Sequence, residues 1–209
     1  ACSYTCITCS YWTNASCTSC NLTVHHRLIQ GNACPCIDGY YDSGDAVCDA
    51  CDQSCLTCSG AGPNACLSCD SSLNRFLTGS SCLCNQFFFE NGTATCPPCH
   101  YSCVTCTNNT YLTCKTCNSS AFRYLSTNSC ACKQGYYDVG PQVMLCAPCD
   151  PTCLICNGPL NTNCYMFCDA TKFRNLVGSQ CLCVTSYYEM ASFCYPCDVT
   201  CENCTGGTD

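Results

Sequence analysis

Cysteine recurs in this chain in one fixed order, and that order constrains the fold more than any other property. With the Cys of one unit lettered a to h, the pattern is C-x3-C-x2-C-x7-C-x2-C, a gap of 12 or 13 residues, C-x-C, then 10 to 13 residues and a last Cys two residues before the next unit. Residues 2–48 form the first unit with Cys2, Cys6, Cys9, Cys17, Cys20, Cys34, Cys36 and Cys48. Residues 51–96 form the second with Cys51, Cys55, Cys58, Cys66, Cys69, Cys82, Cys84 and Cys96. The third, 99–146, has Cys99, Cys103, Cys106, Cys114, Cys117, Cys130, Cys132 and Cys146. The fourth, 149–194, has Cys149, Cys153, Cys156, Cys164, Cys168, Cys181, Cys183 and Cys194, with one extra residue between d and e. A fifth begins at Cys197, Cys201 and Cys204 and occupies 197–209. All 35 Cys are thereby assigned, and we expect the 209 residues to be a window on a longer chain.

From first Cys to first Cys the steps are 49, 48, 50 and 48 residues. A unit that small rarely buries enough apolar surface to fold on its core alone. The 47% hydrophobic content does not rescue it, since Cys makes up more than a third of that share. Disulfides supply what the core lacks, each contributing ~2–4 kcal/mol by restricting the unfolded chain. They persist in oxidising compartments, so the expected location is extracellular or at the cell surface, reached through the secretory pathway. A globular enzyme core of Leu, Ile and Val is excluded.

The repeat carries more than Cys. Four residues after the g Cys come two aromatics and an acid: Tyr40-Tyr41-Asp42, Phe88-Phe89-Glu90, Tyr136-Tyr137-Asp138 and Tyr187-Tyr188-Glu189. Between e and f each unit holds one Arg, and Arg27, Arg75, Arg123 and Arg174 are the only four in the chain. Both stretches are short, apolar and bounded by Gly, Asn or Ser, as hairpin strands are. Asn91-Gly92 is a two-residue turn signal in the second unit. No segment sustains a helical period, so little or no helix is expected.

The cysteine spacing, the hairpin-sized gap and the aromatic pair together resemble the furin-like repeat of the growth-factor-receptor cysteine-rich family. That module also occurs in R-spondins and in surface proteins of single-celled eukaryotes. The similarity covers essentially the whole chain. It implies a small disulfide-rich β fold, an elongated tandem array of about four furin-like cysteine-rich repeats built from short β-hairpins. Spacing alone leaves eight Cys with roughly a hundred pairings, whereas the resemblance implies a–c, b–d, e–f and g–h. In the first two units that gives Cys2–Cys9, Cys6–Cys17, Cys20–Cys34, Cys36–Cys48, Cys51–Cys58, Cys55–Cys66, Cys69–Cys82 and Cys84–Cys96. In the next two it gives Cys99–Cys106, Cys103–Cys114, Cys117–Cys130, Cys132–Cys146, Cys149–Cys156, Cys153–Cys164, Cys168–Cys181 and Cys183–Cys194. In the fifth, Cys197 takes Cys204, and the position that would take Cys201 falls beyond residue 209. One departure stands out: the family usually has three residues between f and g, and here there is one (Pro35, Leu83, Ala131, Leu182).

The once-per-unit Arg has two readings. In one it is an exposed strand charge that keeps a hairpin soluble. In the sharper one it pairs with the acid after the aromatics and stacks on a ring: Arg27 with Asp42, Arg75 with Glu90, Arg123 with Asp138, Arg174 with Glu189.

Other chemistry is sparse. Paired C-x2-C would ligate zinc only as thiolates, and a C-x2-C redox centre needs a low-pKa thiol in an electropositive setting, which nothing here provides. His25, His26 and His100 are the only His and read as surface turn residues. Asp38, Asp42, Asp45, Asp49 and Asp52 lack EF-hand spacing and read as a solvated loop. No cofactor is expected. With 7 Lys and Arg against 14 Asp and Glu, nucleic acid is a poor partner. No apolar run approaches the ~18–20 residues of a membrane span, so no direct membrane insertion is expected in this window.

Asn14, Asn21, Asn91, Asn108, Asn118 and Asn203 open N-glycosylation sequons. In a secreted chain these sites would carry covalent glycans. The function expected is a structural one without catalysis: a glycosylated, disulfide-stapled segment of an extracellular coat, stalk or filament. Its partners would be other copies of itself or neighbouring extracellular proteins. The alternative is a ligand-binding cysteine-rich ectodomain of a receptor or variable surface antigen, with Trp12 and Tyr165-Met166-Phe167 as its contact patch.

Overall fold

The structure, a computed structural model, describes residues 1–13 and 15–207. Nearly all its regular structure is two-stranded antiparallel hairpins, and they recur in the same order in every repeat. The chain divides into two compact units, Ala1–Pro98 with the first two repeats and Cys99–Asp209 with the third, fourth and the start of the fifth.

The first hairpin joins the c and d Cys: Thr8–Cys9 with Cys17–Ser19, Thr57–Cys58 with Cys66–Ser68, and Cys103–Cys106 with Cys114–Cys117. In the fourth repeat it shrinks to a single bridge, Cys156 to Cys164. The residue after the e Cys then caps one turn of helix. Asn21 accepts from Val24 N–H, Asp70 from Ser72, Asn118 from Ser120 and Asp169 from Thr171. This is the helix-capping chemistry of Asn and Asp, used to make one turn and then reverse. The reversal falls on a left-handed residue: His26, Asn74, Phe122 and Phe173, with φ between 55° and 61°.

The Arg follows at once and opens the second hairpin. Arg75–Thr78 pairs Ser81–Cys84, Arg123–Ser126 pairs Ser129–Cys132, and Arg174–Val177 pairs Gln180–Cys183. In the first repeat only the bridges Arg27 to Cys36 and Gln30 to Ala33 remain. In all four repeats the Arg faces the g Cys across the hairpin. The third hairpin carries the aromatic pair: Tyr40–Tyr41 with Asp49–Ala50, Tyr136–Tyr137 with Ala147–Pro148, and Tyr187–Met190 with Phe193–Pro196. In the second repeat it is the bridge from Phe88 to Pro98.

Apart from Ala121, every buried apolar residue among those described is a Cys. Sulfur takes the place of a Leu and Val core. In the second repeat Cys55, Cys58, Cys66 and Cys82 form one cluster, and in the fourth Cys153, Cys156, Cys164 and Cys181 form its counterpart.

Successive strand side chains face opposite ways, and the aromatic pair uses both directions. The first ring stacks within its own repeat on the left-handed residue, His26 on Tyr40 at 4.0 Å, Phe122 on Tyr136 at 4.1 Å and Phe173 on Tyr187 at 4.5 Å. The second ring packs forward: Tyr41 lies against the sulfur cluster of the second repeat and Tyr137 against that of the fourth. The residue before the pair adds backbone bonds in the same direction. Gly39 N–H donates to Leu56 and its carbonyl accepts from Cys51; Gly135 does the same with Leu154 and Cys149, and Ser186 with Glu202 and Cys197. All three sit at positive φ, which glycine adopts freely and serine does not.

Candidate functional site

Each repeat contains one ion-paired Arg, and it is buried. Arg27, Arg75, Arg123 and Arg174 are at most 2% exposed, among the most enclosed side chains of the molecule. An exposed strand charge is therefore not what these residues are. A buried guanidinium needs partners for its five N–H groups, and the fold provides them from three directions.

In the second repeat all five are used. Arg75 Nε donates to the Ala94 carbonyl at 2.6 Å, Nη1 to Cys82 O and Glu90 Oε2, and Nη2 to Glu90 Oε1 and Thr93 O. Arg27 repeats the set on Ala46, Cys34, Asp42 and Asp45. Arg123 takes Met144, Cys130, Asp138 and Val143. Arg174 takes Cys181, Glu189 and Ser192, leaving its Nε as a buried donor with no partner. The ion-pair distances are 2.9, 2.8, 3.0 and 3.1 Å in chain order. The Arg thus ties the f Cys of its own hairpin to the turn of the next one, beside two disulfides.

The acids are the open side of each pair. The Arg27 guanidinium holds the Asp42 carboxyl below its usual range, and Arg75 does the same to Glu90. At Asp138 burial raises the carboxyl while Arg123 and the Gly140 N–H lower it, and the lowering prevails. The stacking rings are not those of the aromatic pair. Tyr4 lies over Arg27 and Tyr101 over Arg123, each centroid 5.6 Å from the guanidinium carbon. Both phenols also donate to the acid, Tyr4 to Asp42 and Tyr101 to Asp138. Sequence reasoning missed these two rings; their shared place, two residues after the a Cys, was the available signal.

All 17 disulfides of the structure lie within single repeats, in the order a–c, b–d, e–f and g–h. They are Cys2–Cys9, Cys6–Cys17, Cys20–Cys34 and Cys36–Cys48 in the first repeat, and Cys51–Cys58, Cys55–Cys66, Cys69–Cys82 and Cys84–Cys96 in the second. The third and fourth repeat the scheme from Cys99–Cys106 to Cys183–Cys194, and Cys197–Cys204 closes the last segment. The sulfur of the remaining Cys, Cys201, is 3.9 Å from Thr200 Oγ1. In the second, third and fourth repeats the f and g Cys share one strand with a single residue between them, so their side chains leave the same face and each reaches its own partner. Cys6, Cys17 and Cys34 gather as closely as the ligands of a metal triad, as do Cys103, Cys114 and Cys130, but all six sulfurs are in disulfides and so are not thiolate ligands.

Among the sequon residues, Asn91, Asn108 and Asn203 are exposed. Asn21 and Asn118 are half-buried N-caps, and Asn14 lies outside the described residues. Trp12, 86% exposed, belongs to the first compact unit, and Tyr165, Met166 and Phe167, each more than half exposed, belong to the second.

With this geometry the comparisons with known proteins agree. The chain is a cysteine-rich repeat protein. It is 31% identical over 185 residues, 87% of its length, to the human extracellular matrix organizing protein FRAS1, of which it spans 4%. It is 34% identical over 80 residues to the mouse protein disulfide isomerase Creld2, covering 33% of this chain and 23% of that one. The Xenopus laevis cysteine-rich with EGF-like domain protein 2-B matches at 35% over the same length, 22% of its own. The chain therefore spans only a small part of each of these relatives. No family model matches it. Among the described residues no helix is long and apolar enough to cross a membrane.

Proposed function

We propose that these residues form a structural segment of an extracellular coat, stalk or filament, built from furin-like cysteine-rich repeats. The observation that carries the reading is the repetition itself. Four successive repeats each close on their own four disulfides and their own buried Arg, a construction suited to resisting proteolysis and unfolding. The length of the match to an extracellular matrix organizing protein supports it. So does the cysteine state, since this density of disulfides belongs to an oxidising compartment.

The reading is non-catalytic. One relative is named a disulfide isomerase, yet here, in each C-x2-C from Cys6 to Cys197, the two Cys are bonded to different partners. Cys6 is held by Cys17 and Cys9 by Cys2, for example, so no dithiol–disulfide couple of the redox type is set up. Glycans on the exposed Asn91, Asn108 and Asn203 would enlarge and solubilise the surface. The chain's partners are other copies of itself or neighbouring extracellular proteins. The exposed Tyr11-Trp12 and Tyr165-Met166-Phe167 favour a second reading, a ligand-binding ectodomain.

Electron microscopy of natively purified, unreduced protein tests the proposal. Regular fibres or sheets are expected. Discrete rods that never associate would contradict it and favour the ectodomain.

A further inference from the structure

The first three repeats share a groove in the same place. It runs beside the acid of the ion pair, the f Cys and the Ser or Thr before the b Cys: Thr5, Cys34 and Asp42, then Ser54, Cys82 and Glu90, then Ser102, Cys130 and Asp138. In the first repeat the remaining wall is Arg27, Ala33 and Pro35. In the second, Gln53 crosses to the Gly92 carbonyl at 2.5 Å. The third departs from both. There three rings, His100, Tyr101 and Tyr111, line the groove together with the Asp138 carboxylate.

The His100 ring is 4.2 Å from Tyr101 and 6.3 Å from Tyr111, tilted by 42° and 61°. Tyr101 gives a face to Arg123 and its hydroxyl to Asp138. Tyr111 is 58% exposed and lines the groove, which makes its ring accessible there. The Asp138 carboxylate has about four acceptor positions; Tyr101, Arg123 and Gly140 fill three. The groove is about 280 Å³, at the small end of ligand pockets and roomy enough for one sugar ring.

Charge narrows the ligand. Asp138 is already matched by Arg123 at 3.0 Å. Burial holds the His100 imidazole below its ordinary pKa, toward the neutral form. An ion of either sign therefore gains little here, and phosphate would meet a buried guanidinium already bound to a carboxylate. What the site offers is the exposed Tyr111 ring, a carboxylate acceptor and the Ser129 hydroxyl. A pyranose has the matching chemistry, a face of C–H bonds rimmed by hydroxyl donors.

We propose that the groove of the third repeat binds a single pyranose residue, stacked on Tyr111 with hydroxyls donating to Asp138. The proposal rests on this groove alone and is independent of the structural role argued above. The sugar comes either from glycans on this chain or from those of another glycoprotein.

Saturation-transfer NMR on the full chain tests it, with the methyl glycosides of mannose, galactose and N-acetylglucosamine as probes. At least one is expected to bind saturably in the millimolar range. Tyr111→Ala, a change at an exposed side chain, should weaken it at least tenfold, and Tyr165→Ala, at an exposed tyrosine of the fourth repeat, should not. Binding that appears only after enzymatic removal of N-glycans assigns the groove to the chain's own sugars. Equal binding before and after assigns it to another molecule's. The proposal is overturned if none of the three probes saturates in either form, if binding survives Tyr111→Ala, or if tetramethylammonium binds where the glycosides do not.

Discussion

Arg174 and Glu189 approach to 3.1 Å with the Arg side chain fully enclosed and 43% of the Glu side chain exposed. The same asymmetry holds in every repeat. The pairs are therefore not surface salt bridges, which contribute only ~0–1 kcal/mol. Each is a buried cation whose acid reaches it from the solvent side, while backbone carbonyls take its other bonded N–H groups, the Arg174 Nε alone being left over among the described residues.

That arrangement predicts unequal costs for removing the two partners. Arg75→Ala strips hydrogen bonds from the carbonyls of Cys82, Thr93 and Ala94. At roughly 1–3 kcal/mol for each buried acceptor left unmet, a loss of about 3–5 kcal/mol is expected. Glu90→Gln keeps those three bonds and should cost about 1–2 kcal/mol. Arg75→Lys should not rescue, because an ammonium cannot span the same fork of acceptors. Denaturant midpoints of the unreduced protein give the ranking.

Acid should weaken the same nodes. Asp42 and Glu90 are held below their usual range by Arg partners, so the unfolded chain takes up protons before the folded one does. Their contribution is complete above the unfolded carboxylate values, about 4, and is lost as pH falls through the lower folded values. The thermal midpoint should drop steeply below about pH 4, and the drop should be shallower in Glu90→Gln.

A second pH response belongs to the third repeat alone. Where Asp52, Asp150 and Asp198 accept from the N–H two residues on, His100 offers Nδ1 to Ser102 N–H at 3.4 Å, and Nδ1 is 2.8 Å from the Ser102 hydroxyl. A protonated imidazole has no acceptor there. Burial lowers the pKa of His100, Asp138 works against that and Arg123 with it. The folded state thus favours the neutral ring, and stability falls as pH drops through about 6.5. Exchange of the Ser102 and Cys103 amides should quicken between about pH 7 and 5, and His100→Asp should remove the change.

The step from one repeat to the next depends on backbone conformation. Gly135 holds φ at 79° while bonding forward to Leu154 and Cys149, and a Cβ there would meet no atom within 4 Å. Gly135→Ala is therefore a pure conformational test. It should cost about 1–2 kcal/mol, read as a lower midpoint for the Cys99–Asp209 unit with its disulfides intact.

The repeat, the hairpins and the Arg–acid spacing were legible in the sequence because each is a short fixed interval. Arg75 and Glu90 are fifteen residues apart, as are all four pairs. The burial of Arg75 was not legible. It is produced by the carbonyls of Thr93 and Ala94, which any residue supplies, so no side chain announces it. The caps at Asn21, Asp70, Asn118 and Asp169 stood in the sequence after every e Cys, but one turn of helix leaves no periodicity to detect. Tyr101 over Arg123 was hidden for a different reason: the aromatic pair drew attention, and its rings turn instead toward Phe122 and the next repeat.

The most direct test of a scaffold made of self-closed repeats is the disulfide map of the natively purified protein, obtained by proteolysis without reduction and mass spectrometry. Every cross-linked peptide should join Cys of a single repeat, as in Cys51–Cys58, Cys55–Cys66, Cys69–Cys82 and Cys84–Cys96. A bond between two repeats, or between the two Cys of one C-x2-C, would contradict the account.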